Sequence, residues 1–68
     1  MTIRYFPDTD TALIEFTGQS VSETCELSEN LYLDMNVDGN PVNLTIEHAK
    51  ESGALSELVY REMKRETA

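Results

Sequence analysis

The chain has 68 residues, 40% of them hydrophobic, with 13 acidic and 5 basic side chains and a formal net charge of −8. A chain this short makes one domain, residues 1–68; it buries only about 60% of the surface its unfolded form exposes, and such chains usually need a staple or a partner subunit. The charge excludes nucleic acid and anionic membrane as partners, because the field repels phosphate, and the hydrophobic content excludes a disordered chain.

Thr2–Phe6 is rich in β-formers and reads as a first strand. Pro7-Asp8-Thr9-Asp10 is turn chemistry, since proline presets φ and aspartate bonds its own backbone. Thr11–Thr17 alternates, with Ala12, Ile14 and Phe16 on one side and Leu13 and Glu15 on the other. Gly18-Gln19-Ser20 breaks it. Val21–Leu27 alternates more weakly, interrupted by Glu23. Ser28-Glu29-Asn30 is a turn, and Leu31–Asn36 alternates cleanly. Asp38-Gly39 is the strongest hairpin signal, because a tight turn needs φ > 0. Val42, Leu44 and Ile46 then oppose Asn43, Thr45 and Glu47.

These elements predict an antiparallel meander of about four to five strands over residues 2–47, apolar on one face, which requires a cover. Leu55, Leu58, Val59 and Met63 stand at helical spacing, Ser52 is an N-cap, and Glu57 and Arg61 form a favourable i,i+4 pair. A helical segment over about 48–66, its first turn at Glu47–Glu51 interrupted at Gly53, is therefore expected to cover the sheet. The fold class is α+β. The expected core is Ile3, Tyr5, Ile14, Phe16, Leu31, Leu33, Val42, Leu44, Ile46, Leu55, Leu58, Val59 and Met63.

Residues 5–48 hold nine carboxylates and no Lys or Arg, whereas the last 20 residues carry four charges of each sign. Such a segment attracts a basic protein or cations. The single cysteine, Cys25, excludes an internal disulfide, and no Cys/His cluster offers a zinc site. Cys25 reads as a small buried hydrophobe. A lone cysteine, no apolar stretch of about 18 residues, and no apolar run after Met1-Thr2-Ile3-Arg4-Tyr5 predict a cytoplasmic protein with neither membrane span nor signal peptide.

Asp34-Met35-Asn36-Val37-Asp38-Gly39 matches the opening of a calcium loop, with oxygen ligands Asp34, Asn36 and Asp38. The residue twelve positions into that loop is Thr45, where a bidentate Glu is required. Pro41 and the alternation behind it favour a returning strand, so the hairpin is the better reading. Asp8 and Asp10 read as turn formers rather than an acid–base pair, and His48 as a junction residue without a nucleophile beside it. No cofactor and no catalytic residue is predicted.

Three segments resemble one family. Tyr5-Phe6-Pro7-Asp8-Thr9-Asp10-Thr11-Ala12-Leu13-Ile14 is similar to a Tyr-Asp-x-x-x-Asp-x-Leu-Tyr-Ile opening. Leu33-Asp34-Met35-Asn36-Val37-Asp38-Gly39 resembles a strand entering an Asp-x-Asp-x-Asp-Gly hairpin. Asn43-Leu44-Thr45-Ile46-Glu47-His48-Ala49-Lys50 stands where the family has Gly-Ile-Glu-Ile-Leu-x-Ala-Ser. The family is domain of unknown function 2283, a set of small prokaryotic proteins. The resemblance spans residues 3–50, and Asp10 is its best-matched polar position. Thr45, Asn43 and Lys50 depart from it, replacing Glu, Gly and Ser. It implies a small β-rich domain with a C-terminal helical element, no established activity, and partnership with small toxin-like proteins, which agrees with the separate charge argument for a basic partner.

The expected function is a non-enzymatic, antitoxin-like interaction module. Its face of Asp8, Asp10, Leu13, Glu15, Tyr32, Asp34 and Thr45 would meet a basic partner. The alternative is a homodimer that completes its own core. A cation-binding protein or hydrolase using Asp8, Asp10, Asp34 or His48 ranks last, since so few residues hardly enclose a pocket.

Overall fold

A computed structural model describes residues 1–64. Five strands run in chain order: β1 (Thr2–Phe6), β2 (Thr11–Glu15), β3 (Glu23–Ser28), β4 (Leu31–Met35) and β5 (Pro41–Ile46). All overlap the stretches expected from the sequence, trimmed or extended by one or two residues at their ends.

The sheet is antiparallel throughout, with strand order β1-β2-β5-β4-β3. The sequential meander is thereby corrected: β2 pairs with β5, not with β3. Strands β2 to β5 form a Greek key, in which residues 16–22 carry the chain past β5 and β4 to the far edge. The amides of Phe16 and Thr17 both donate to the Val42 carbonyl, at 2.8 and 3.4 Å, and the Ser22 amide donates to the Met35 carbonyl at 2.8 Å. The physical reason lies in the strands themselves. β5 is the most cleanly apolar on one side, so a central position with two neighbours suits it. β3 alternates weakly, is exposed along its whole length, and takes the edge. Leu27 is the extra residue of a bulge, because Glu26 pairs with Tyr32 while Ser28 pairs with Leu31.

Cross-strand register divides the side chains between two faces. One row of the apolar face runs Ile3–Ile14–Leu44–Leu33–Cys25, and the next runs Tyr5–Ala12–Ile46–Leu31. Only Ala12, Val42 and Ala49 are buried among the described residues. Most of the expected sheet core is half-buried, and Ile3 and Phe16 are each 37% exposed. Cys25 is exposed, so its reading as a buried hydrophobe is corrected.

The α+β class is overturned as well. The described residues contain no helix, and the architecture is all-β. One turn does form after β5: the Ser52 amide donates to the His48 carbonyl at 2.8 Å, and Gly53, at φ 80°, ends it. Beyond it the chain is irregular. Leu58, Val59 and Met63 are 62%, 53% and 80% exposed. A helix shorter than about 12–15 residues is marginal in water unless its apolar stripe is packed, and this stripe is not. Residues 65 and 66 of the expected helix lie outside the described residues. Among the described residues, no helix is long and apolar enough to cross a membrane.

Candidate functional site

The second face of the sheet gathers five of the seven expected interaction residues. Leu13, Thr45 and Tyr32 are direct cross-strand neighbours in one row, and Glu15, Asn43 and Asp34 form the row beside it. Alternation put them on the same side, but only the β2–β5 and β5–β4 pairings make them adjacent. Arg4 partly neutralises this face, its Nε 2.8 Å from Oε1 of Glu15. Thr24 Oγ1 donates to Asp34 at 2.6 Å, and Asn43 Nδ2 donates to the same carboxylate at 3.4 Å.

Around Tyr32 the field is strongly negative. The carboxylate of Glu47, then partial desolvation, then Glu26 and Glu29, hold its phenol above the ordinary value of 10.0. Glu26 stands directly opposite Tyr32 in the β3–β4 ladder. Glu26 belongs to this face, and Glu47 and the turn residue Glu29 add to its field; none of the three is among the expected interaction residues, and the odd-even position of Glu26 in β3 is the signal that could have found it. Tyr32 donates its hydroxyl to the Glu29 carbonyl at 3.3 Å.

Asp10 does something different. It sits at φ 54°, a left-handed conformation that aspartate tolerates better than most residues. Its main-chain carbonyl accepts from the Ala49 amide at 2.8 Å. Its Oδ1 accepts from the Lys50 amide at 2.9 Å and its Oδ2 from the Glu51 amide at 3.0 Å. The Tyr5 hydroxyl donates to the same Oδ1 at 2.7 Å. Asp10 thus caps the turn after β5 as an N-cap would, but from a distant hairpin. Those amides, Glu51 first and Lys50 next, followed by Tyr5, hold its carboxyl below the usual range. In return the bond to Asp10 raises the Tyr5 phenol. Lys50 Nζ lies 4.6 Å from the centre of the Tyr5 ring, an arrangement that favours a cation over the ring face.

His48 is also left-handed, at φ 51°, and its Nδ1 lies 3.0 Å from Oε2 of Glu51. Single ligand atoms of Asp10, His48 and Glu51 fall within 4.8 Å of one another. Both Asp10 oxygens already accept N–H or O–H donors, so the cluster reads as a clamped turn rather than a metal cage. His48, Glu51, Ser52, Glu29 and Asn30 line an open depression of about 330 Å³. Asp8 is exposed in the first turn. The two carboxylates at Asp8 and Asp10 therefore do different jobs.

The suggested calcium loop is a hairpin built on Asn36. Its Oδ1 accepts from the amides of Asp38 and Asn40 at 3.0 and 2.9 Å, and its Nδ2 donates to Gln19 Oε1 at 2.6 Å. Gly39, at φ 80°, completes the turn. Asp34, its oxygens bonded to Thr24 and Asn43, faces the sheet rather than this loop.

Tyr5, Asp10, Ala49 and Lys50 come from the first and last of the three segments that carry the family resemblance, and the fold brings those segments together. No curated protein and no solved structure gives a significant match to the chain. The sequence profile described as "Protein of unknown function (DUF2283)" matches residues 2–50, from the start of β1 to the residue that Asp10 clamps, and the chain belongs to that family.

Proposed function

We propose that the protein is a non-enzymatic interaction module of the cytoplasm that recognises a basic protein through the acidic face of its sheet. The observation that carries this reading is the row Leu13–Thr45–Tyr32, an aromatic and aliphatic centre ringed by Glu15, Asp34, Glu26 and Glu47. Interfaces concentrate affinity in an anchor such as a tyrosine, and surrounding charge supplies on-rate and choice of partner. An antitoxin-like pairing with a small basic protein is the form that the family resemblance implies. The cytoplasmic assignment rests on the lone cysteine.

The test is affinity capture from the source cells at low salt, with elution by a salt step and identification by mass spectrometry. The expected result is a basic protein released at moderate salt, retained by the native chain and lost with Tyr32→Ala or Asp34→Lys. Capture indifferent to both salt and these substitutions overturns the reading.

A further inference from the structure

We infer that two copies of this chain pack through the apolar faces of their sheets, forming a two-layer β-sandwich with the acidic faces turned outward. The inference concerns the opposite face from the one above and does not rest on that reading.

Among the described residues the apolar face is covered at one end only, where the turn after β5 buries Ala49 and sets Lys50 Nζ over the Tyr5 ring. Among the described residues no Leu, Ile, Phe or Tyr is fully buried, and Ile3 and Phe16 are each 37% exposed. Leu55 is half-buried, but the apolar residues beyond it do not extend the cover, since Leu58, Val59 and Met63 are exposed themselves. A single sheet with one face this apolar requires a second layer.

The charge on the face selects the occupant. Within the strands, its only charged side chain is Glu23, at the start of edge strand β3. A basic partner would find only Glu23, at the edge, to pair with and would have to desolvate its remaining charges. An identical face, charged within its strands only at the edge residue Glu23, has a smaller cost of this kind. Face-to-face packing also sends Glu15, Glu26 and Asp34 of both copies to opposite outer surfaces, which limits the repulsion arising from a charge of −8 on each chain.

The area suffices. Five strands of five to six residues, spaced about 4.8 Å with a rise of about 3.3 Å per residue, make a face of roughly 24 by 18 Å. Two such faces cover roughly 900 Å² in projection, and the relief of the side chains takes the accessible area past the ~1,000 Å² of a specific interface. Aligned sheets pack about 10 Å apart with their strands crossing near −30°, a geometry open to a two-fold axis.

Sedimentation equilibrium on the full chain, with circular dichroism alongside, tests this. The expected result is twice the 7.7 kDa monomer mass at high concentration, unchanged or tightened by salt, which screens the net charge. The thermal midpoint should rise with protein concentration, because dimerisation stabilises only the folded state. Ile3→Lys and Phe16→Lys should each shift the equilibrium toward monomer by at least tenfold, while Leu13→Lys on the outer face leaves it unchanged. A folded monomer at every concentration, with a constant midpoint, overturns the inference. So does a dimer that salt dissociates, or one lost with Leu13→Lys but kept with the other two. If the charged variants do not fold, the concentration dependence of the unmodified chain decides.

Discussion

Asp10 Oδ1 lies 2.9 Å from the amide nitrogen of Lys50, forty residues further along the chain. Together with the bonds to Ala49, Tyr5 and Glu51, this contact ties the β1–β2 hairpin to the segment leaving β5. The β2–β5 pairing brings the two together, since Ala12 and Ile46 are partners and both loops emerge at that end of the sheet. The role of Asp10 is architectural: a carboxylate whose oxygens already accept three donors is poorly placed to bind a cation as well.

Asp10→Ala should lower the thermal midpoint by several degrees, and Asp10→Asn by less, because asparagine keeps one carbonyl oxygen for the Lys50 amide. Thermal denaturation followed by circular dichroism checks the ranking. Equal midpoints for both variants and the native chain would remove the clamp from the account of stability.

Acid should destabilise the protein through the same residue. The folded-state pKa of Asp10 is lowered, so the unfolded chain binds the proton more readily. The stabilisation is present above the unfolded value, about 3.9, and is lost as pH falls through the lower folded value. The raised phenols of Tyr5 and Tyr32 act at the other end. Their contribution is complete below about pH 10 and is lost as pH rises through their folded values. Urea midpoints measured from pH 2 to 11 should fall at both ends; Asp10→Asn should flatten the acid limb and also weaken the Tyr5 part of the alkaline limb, leaving that of Tyr32.

Gly39→Ala should cost about 1–2 kcal/mol, or about 4–16 °C in a domain this small, because a left-handed residue carrying a Cβ is strained. The cost is purely conformational, since no atom stands within 4 Å of the Cβ position and φ is 80°. Gly18→Ala, equally open but without a positive φ, should be nearly neutral. A matched pair of melting curves separates the two.

Asn36→Ala removes two accepted bonds and one donated bond from the β4–β5 hairpin. A loss of about 1–2 kcal/mol is expected at this exposed site. Millimolar calcium should leave the midpoint of the native chain unchanged. A calcium-dependent rise would return the loop to the metal reading.

A stop codon after Ser56 should leave the melting of the sheet unchanged, since Leu58, Val59, Tyr60 and Met63 are exposed. A fall of several degrees would mean that this segment packs after all.

Local chemistry made the strands legible. β-former content located β1, period-two alternation located the other four strands, and Asp38-Gly39 located the tight turn, because these signals depend on neighbours along the chain. The shared face of Leu13, Glu15, Tyr32, Asp34 and Thr45 followed from the same alternation. Strand order did not, because it depends on which strand gains most from two neighbours, a comparison made across the whole sheet. The helix was misread for a related reason: the stripe of Leu55, Leu58, Val59 and Met63 expresses a capacity to pack, and a short helix persists only where packing is realised. Asp10 marks the boundary most clearly. Its residue type and its place in a turn belong to the sequence, whereas its partners at Ala49, Lys50 and Glu51 exist only once β5 has returned beside β2.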